Sequence, residues 1–192
     1  KNFYRSLIFS PYITPMVVIA IIWMWIYNPE FGLANYFLQL VGIPPLNWLR
    51  SFKMALPSII FLTVWKDMGY YMILYLAGLQ NIPESLYESA EMDGASGFRK
   101  FRSITLPLLT PTTFFVLITS FLSSFKVFDQ ISVMTSGGPA DATNVMVYFL
   151  YQNAFEYFKI GYASAIAVII FIILMFITVF QFKGSKKWVY YG

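Results

Sequence analysis

The most apolar stretch of the sequence is Gly161–Phe182, GYASAIAVIIFIILMFITVFQF, and it contains no charged residue. An α-helix rises about 1.5 Å per residue, so about 20 residues cross a hydrocarbon layer about 30 Å thick. Lipid offers the backbone no hydrogen-bond partner, and a helix pairs its backbone groups within itself. The stretch therefore predicts a membrane-spanning helix, and it sets the fold class of the chain.

Three further segments are long and apolar enough to cross a bilayer, at about Leu7–Tyr27, Met54–Leu79 and Leu106–Phe125. Pro11 and Pro15 interrupt the first of them and predict a kink. Only 11% of the 192 residues are charged, against about 25% in ordinary soluble domains. We therefore expect an all-α polytopic membrane protein, with one transmembrane domain over residues 1–192 and four spans.

Two residue types are missing, and their absence disfavours several chemistries. The sequence has no cysteine and no histidine. This removes thiol nucleophiles, thiolate metal sites, and the commonest general base and metal ligand. We therefore expect neither catalytic nor metal-binding residues. An intramembrane enzyme is disfavoured further because no span carries a paired acidic cluster.

Basic residues are distributed unevenly between the two sides of the predicted membrane, with eight on one side and three on the other. The eight are Lys1, Arg5, Arg99, Lys100, Arg102, Lys183, Lys186 and Lys187, and the three are Arg50, Lys53 and Lys159. Positive residues concentrate on the cytoplasmic side of membrane proteins. We therefore expect both termini and the loop 80–107 in the cytoplasm. The same asymmetry accounts for the net charge of +4, so no nucleic-acid partner is expected.

The connections between spans differ in character. Residues 28–53 are rich in Pro and Gly and predict a turn-rich loop with a short interfacial helix. Residues 126–160 contain the turn signal Ser136–Pro139, followed by the aromatic-rich segment Asp141–Phe158. That segment predicts an amphipathic helix at the membrane edge.

The loop 80–107 is the most charged connection, and it contains NIPESLYESAEMDGASGFRKFRSITLP over Asn81–Pro107. Pro83 suits the first turn of a helix, and the glutamates that follow are favoured by the helix dipole. Gly94 and Gly97 break this helix before a second one leads to Pro107. The pattern predicts a helix–turn–helix whose small residues and bulky Phe98 suit docking into another protein. An ordinary solvated loop is the alternative.

The spacing within this loop resembles the EAA loop of binding-protein-dependent ABC importer permeases, E-A-A-x3-G-x9-I-x-L-P. Six of the seven fixed positions match, and Ser89 stands where the second residue is usually Ala. The matching residues are Glu88, Ala90, Gly94, Ile104, Leu106 and Pro107. Further segments resemble the sugar-permease branch, which includes the larger maltose-permease subunit and the glycerol-3-phosphate permease subunit. They are Trp65, Gly78–Gln80, Ile82–Pro83, Phe125–Asp129, Gly137–Pro139 and Gly161–Ala163.

The resemblance implies the helix bundle of a type I ABC importer permease, which usually has about six spans, and the four spans here are similar to the last four. It also implies a bacterial or archaeal cytoplasmic membrane, a second permease subunit, two cytoplasmic ATPase subunits, an external solute-binding protein and a carbohydrate substrate. In such permeases the EAA loop forms a coupling helix in a cleft of the ATPase. The implied docking residues are Glu88, Ser89, Ala90, Asp93, Gly94 and Phe98.

ATP hydrolysis is assigned to the partner ATPase. The sequence contains no G-x4-G-K-[S/T] phosphate loop. We therefore expect that this chain is not an enzyme and holds no cofactor, and that ATP and Mg²⁺ bind the partner. Beyond these subunits, the surrounding membrane lipid is the remaining partner.

Charged and hydroxylated residues within the spans are candidates for the substrate path. A charge at the bilayer centre costs about 2.5–3.5 kcal/mol on insertion scales, so such side chains face a cavity or a partner. The candidates are Lys66, Asp67, Tyr70 and Tyr71 in the second span and Ser120, Ser124, Lys126 and Asp129 at the end of the third. The alternatives are a structural ion pair at Lys66 and Asp67, and serines that serve only close helix packing.

The expected function is that of an importer subunit which forms the path for a sugar or related polyol. A secondary transporter or a channel without an ATPase partner is the alternative, because both also use buried charges. Neither of these needs the EAA spacing. The segment Glu88–Pro107 therefore discriminates between the two interpretations.

Overall fold

The structure is a computed structural model that describes residues 2–190, and this part of the chain consists of helices and turns without a strand. The expectation of an all-α protein is confirmed. In chain order the helices are α1 (Asn2–Ile13), α2 (Met16–Ile26), α3 (Leu33–Leu40), α4 (Ala55–Gln80), α5 (Glu84–Met92), α6 (Gly97–Lys100), α7 (Leu106–Leu108), α8 (Thr110–Phe125), α9 (Asp129–Met134), α10 (Met146–Tyr151) and α11 (Ile160–Ser185), with π-helical turns at Phe101–Thr105 and Gln152–Glu156.

Three helical segments within residues 2–190 are long and apolar enough to cross a membrane. They are α4, the segment Thr110–Met134 made of α8 and α9, and α11. The pair α1–α2 provides a fourth segment if its two helices are counted as one span. The structure thus has apolar helices in all four regions where the sequence predicts spans.

The first of these regions is a sharply bent pair, because α1 and α2 meet at 100°. Pro15 precedes α2 in an extended conformation, with φ −54° and ψ 139°. A proline disfavours the helical conformation of the residue before it, so α1 ends at Ile13. Pro11 lies inside α1 and does not end it. The bend therefore lies at one of the two prolines where the sequence predicts a kink.

The region from Gly97 to Phe125 is helical but irregular. The N–H of Leu106 bonds to the carbonyl of Phe101, five residues earlier, which makes the turn π-helical. Pro107 and Pro111 have no N–H and so interrupt the usual pattern of bonds to the fourth preceding residue. The hydroxyl of Thr110 compensates in part by donating to the carbonyl of Pro107 at 2.5 Å.

The chain divides into two compact units, each described here by itself. The first contains the residues up to Gly69 together with Ser124–Phe171, and the second contains Tyr70–Ser123 together with the residues from Ile172 onward. The first unit holds an apolar core formed by α2, α4, α9 and α10. Its buried members are Ile19, Ala20, Trp23, Tyr27, Ile59, Leu62, Ile131, Met134 and Tyr148.

The loop after α2 is fixed by the buried side chain of Asn35 in α3. Its Nδ2 donates to the carbonyls of Pro29 and Leu46 at 3.1 and 3.0 Å. Its Oδ1 accepts from the N–H of Leu46 at 3.0 Å and from the indole N–H of Trp48 at 2.8 Å. One amide thereby satisfies four hydrogen bonds, which explains how a polar side chain is tolerated at 2% exposure.

The predicted helix Asp141–Phe158 is shorter than the sequence suggests. The loop before it turns tightly, with positive φ at Ser136, Gly137, Ala140 and Asp141. Thr143 holds this loop, because its hydroxyl donates to the carbonyl of Gly138 at 2.7 Å. Regular helix therefore starts only at Met146 and continues into the π-helical turn Gln152–Glu156.

Candidate functional site

The segment with the EAA spacing forms a helical elbow, whose first arm is α5 and whose second arm runs from α6 through the π-helical turn Phe101–Thr105. Pro83 precedes α5 and Glu84 lies in its first turn, where an acidic side chain suits the helix dipole. The helix ends in a glycine-dependent motif. Gly94 has φ +72°, the N–H of Gly94 bonds to the carbonyl of Glu91, and the N–H of Ala95 bonds to the carbonyl of Ala90. These two hydrogen bonds form the Schellman motif, which favours glycine at the position with a left-handed backbone conformation.

All six predicted docking residues lie on this elbow. Four are exposed on α5 or its turn, Ala90 is half-buried, and Phe98 in α6 exposes 74% of its surface. The exposed four are Glu88, Ser89, Asp93 and Gly94. A Cβ atom added at Gly94 would meet no atom within 4 Å, so the surface above Gly94 is open.

Met92 belongs to the same surface and was not among the predicted docking residues. It exposes 83% of its surface, the largest fraction among the exposed large hydrophobic residues of the described chain. An exposed methionine outside the apolar helices is typical of adaptable binding surfaces. Helical spacing could have identified it, because Met92 lies one turn after Glu88.

Side chains link the two arms of the elbow. The hydroxyl groups of Tyr87 in α5 and Thr105 in the π-helical turn are hydrogen-bonded at 2.8 Å. Lys100 Nζ also lies 3.6 Å from Glu91 Oε1, but this glutamate side chain is 75% exposed, so the ion pair is screened by water. A small cavity of about 200 Å³ lies between the arms, lined by Ala90, Asp93 and the basic residue Arg99.

Lys66 lies in the first unit and is held by α1. Its Nζ donates to the backbone carbonyl of Tyr12 at 3.1 Å and lies 5.2 Å from the centre of the Tyr12 ring. In an unbroken helix that carbonyl would bond to the N–H of Met16, but the chain breaks at Pro15. The lysine therefore caps the C-terminal end of α1, where the helix dipole favours a cation.

Gly69 completes this contact one turn further along α4. A Cβ atom at Gly69 would lie 2.2 Å from the carbonyl oxygen of Ile8 and 2.7 Å from the Cα of Phe9. Both atoms belong to the backbone of α1, so no side chain can replace the glycine without moving that helix. Gly69 allows α1 to pack closely against α4, and Lys66 holds the C-terminal end of α1. Lys66 therefore has a structural partner within the chain.

The remaining candidates for the substrate path are distributed over both units. In the second unit, the rings of Tyr70 and Tyr71 meet edge to face at 5.4 Å, and the Ser120 hydroxyl donates to the carbonyl of Leu117 at 3.1 Å. In the first unit, Asp67 is partly buried on α4 and Ser124 lies near the end of α8.

Lys126 and Asp129 lie at a break between two apolar helices. α8 ends at Phe125 and α9 begins at Asp129, although hydropathy treats Thr110–Met134 as one span. Non-helical backbone at membrane depth is tolerated where it is buried in protein or lines a water-filled cavity. Both side chains are exposed, so the break places two opposite charges where polar surroundings are needed.

Gln130 connects this break to α4, although it is not among the predicted substrate-path residues. Its Nε2 donates to the Thr63 hydroxyl at 3.2 Å, and only 5% of the residue is exposed. Thr63 precedes Asp67 by one helical turn on the same face of α4. The contact therefore lies one helical turn from Asp67, within the first unit.

A separate cavity of about 450 Å³ in the first unit lies at the ends of α2 and α9. Arg50, Asn28 and Thr135 contribute polar groups to its lining, beside Tyr27 and Met134. Within residues 2–190, no three acidic side chains lie close enough together to hold a metal ion.

Residues 1–186 match the family described as binding-protein-dependent transport system inner membrane component. The sn-glycerol-3-phosphate transport system permease protein UgpA of Agrobacterium fabrum is 38% identical over 100% of this chain and 66% of its own length. The trehalose/maltose transport system permease protein MalF of Thermococcus litoralis is 39% identical over 95% of this chain and 61% of its own. The chain thus spans just under two thirds of these relatives.

A solved structure has the same fold. It is a crystal structure of a bacterial ABC transporter involved in the import of the acidic polysaccharide alginate, and one of its chains superposes with a TM-score of 0.87. The superposition covers 97% of this chain and 65% of the other, at 24% sequence identity. With the family match extending over nearly all of the sequence, the chain belongs to the family of binding-protein-dependent transport system inner membrane components.

Proposed function

We propose that this chain is part of the membrane-spanning subunit of an ATP-driven importer and forms the path for a sugar or related polyol. An external solute-binding protein delivers the substrate, a second permease completes the path, and two cytoplasmic ATPase subunits supply the energy. The subunit lies in the cytoplasmic membrane of a bacterium or archaeon, with both ends of this segment in the cytoplasm. Family membership supports each of these partners.

The exposed elbow is the observation that carries the proposal. α5 is a polar helix between apolar ones, and none of its residues is buried. Its outer surface consists of Glu88, Ser89, Asp93 and Gly94 beside the exposed apolar side chains of Met92 and Phe98. Exposed apolar groups within a polar rim mark protein interfaces. A self-sufficient channel or secondary transporter has no need of such a surface.

We propose that the path is lined by Asp67, Tyr70, Tyr71, Ser120, Ser124, Lys126 and Asp129. The break between α8 and α9 supports Lys126 and Asp129, and the contact of Gln130 with Thr63 supports Asp67. Lys66 is left out because its ammonium group is held by the Tyr12 carbonyl. The carboxylates of Asp67 and Asp129 outnumber the single ammonium group of Lys126, which disfavours an anionic substrate, so a neutral sugar is the favoured substrate.

Affinity purification of the full-length protein from its native membrane tests the proposal. The tagged protein is solubilised in mild detergent, and the co-purifying proteins are identified by mass spectrometry. We expect a second permease, an ATPase and an external binding protein. Recovery of this protein alone, under conditions that keep a known ABC importer intact, would contradict the proposal and favour a transporter or channel that works without an ATPase.

A further inference from the structure

The hydroxyl of Thr105 is directed away from its own helix. Threonine in a helix usually bonds to the carbonyl of the residue four positions earlier, and Thr63, Thr113 and Thr119 all do so at 2.8–3.0 Å. Thr105 instead bonds to the Tyr87 hydroxyl on α5 at 2.8 Å, across the elbow. Only 8% of Thr105 is exposed and Tyr87 is half-buried, so this bond is partly shielded from water.

The bond ends on an irregular part of the second arm. Thr105 is the last residue of the π-helical turn Phe101–Thr105, and α7 starts at the next residue. A single π-helical turn inside a helix frequently marks a functional site, because it is less regular than its surroundings. Any force that α5 applies through Tyr87 therefore acts on the residue before Leu106, where the apolar helical segment of α7 and α8 begins.

The other connections between the arms are weaker. The covalent path runs through the turn 93–96 into Gly97, the first residue of α6, and a Cβ atom added at Gly94 or Gly97 would meet no atom within 4 Å. The ion pair between Lys100 and Glu91 is at the surface. Without the Tyr87–Thr105 bond, α5 would be held to the second arm mainly by this glycine-containing turn, which can bend when α5 is pulled.

We propose that Tyr87 and Thr105 are positioning residues for ATP-coupled transport, and that their hydrogen bond transmits movement of α5 to the helix that begins at Leu106. This inference rests on the proposed function. Tyr87 is half-buried with its hydroxyl facing the second arm, while the docking surface of α5 lies on neighbouring residues. The role of Tyr87 thus differs from docking, and experiments can distinguish the two roles.

The experiment uses the complete transporter reconstituted in proteoliposomes, with its binding protein and the sugar identified by screening that protein. Tyr87→Phe and Thr105→Val each remove one hydroxyl group. We expect normal co-purification of the ATPase and a fall of about three- to tenfold in sugar transported per ATP hydrolysed, the scale of one shielded hydrogen bond. The double variant should be no worse than either single variant, because both remove the same bond.

Two further variants serve as controls. Thr105→Ser keeps the hydroxyl group and should restore coupling. Tyr75→Phe removes the same group from a similar pair, since the Tyr75 hydroxyl donates to the Thr113 hydroxyl at 3.3 Å between α4 and α8. That pair lies off the elbow, so Tyr75→Phe should leave the transport-to-ATP ratio unchanged.

The outcomes separate this inference from the proposed function. If the wild-type protein retains no ATPase at all, the proposed function is wrong. If the wild type and Tyr87→Phe transport the same amount of sugar per ATP hydrolysed, the transmission role is wrong. It is also wrong if Tyr87→Phe releases the ATPase from the complex. Additive losses in the double variant would likewise overturn it, since the two hydroxyl groups would then act separately.

Discussion

Gly94 has two separable reasons to be glycine. Its φ of +72° lies in the left-handed region, which non-glycine residues adopt at a cost of roughly 1 kcal/mol and which asparagine tolerates best. The open space above it is where a partner would approach. The structure thus provides a backbone explanation of the motif glycine beside the docking explanation that the sequence suggests.

We predict that substitutions at Gly94 distinguish these reasons. Gly94→Asn keeps the left-handed turn but adds a side chain on the docking surface, whereas Gly94→Trp adds much more bulk. Both variants should insert at normal levels, and ATP-coupled uptake should be reduced in the first and abolished in the second. Uptake assays in cells, normalised to membrane levels, measure this. Full uptake with Gly94→Trp would mean that nothing docks closely at this position.

Lys66 illustrates what a sequence can and cannot supply. The charge within an apolar segment identifies it as a residue that needs a partner. The partner is a backbone carbonyl 54 positions earlier, at the end of α1 where Pro15 interrupts the helix. A backbone acceptor leaves no residue-type signal, so the sequence could not choose between a cavity, an ion pair and this cap.

We predict that Lys66→Met destabilises the protein without changing its preference among substrates. The variant removes the ammonium group that donates to the Tyr12 carbonyl, and the free energy of unfolding should fall by about 1–2 kcal/mol. Thermal unfolding in detergent measures the loss, and Lys66→Arg, which keeps a cation there, should recover part of it. An unchanged melting temperature together with an altered substrate preference would indicate that Lys66 lines the substrate path.

Helices show the same division between what hydropathy predicts and what packing decides. The sequence locates α4 and α11 closely, because each is one long apolar helix. It also ends the third span at Phe125, the last residue of α8, and begins the following connection at the break of residues 126–128. It does not predict α9, a helix of six residues that is fixed by Gln130, Ile131 and Met134 in the first unit.

We predict that the α8–α9 break affects substrate handling. Lys126→Met and Asp129→Asn should each raise the sugar concentration needed for half-maximal uptake about three- to thirtyfold, the scale of losing one or two hydrogen bonds. The complex should still assemble. Lys159→Met provides a matched control, because Lys159 is an exposed lysine before α11 with no proposed role. Uptake kinetics equal to those of the wild type in all three variants would show that the α8–α9 break does not line the substrate path.

The orientation of the chain in the membrane rests on its charge pattern, since helix packing within one chain is compatible with either direction. Eight basic residues fall on one side and three on the other. Of the eight, Lys1 lies outside the described residues, and Arg99, Lys100 and Arg102 belong to the elbow. The elbow must face the cytoplasm if it contacts an ATPase, so the charge pattern and the proposed coupling surface require the same orientation.

We predict the outcome of cysteine labelling, for which these 192 residues offer no background because they contain no cysteine. Glu30→Cys and Phe158→Cys are exposed positions in loops on the side with fewer basic residues, and Lys187→Cys is exposed on the opposite side. A membrane-impermeant maleimide should label the first two in spheroplasts and label Lys187→Cys only after permeabilisation. The reverse pattern would place the elbow outside, where no ATP is available, and would contradict both the orientation and the coupling role. Labelling of all three without permeabilisation would contradict the predicted spans, because one span, α11, separates Phe158 from Lys187 and three spans separate Glu30 from Lys187.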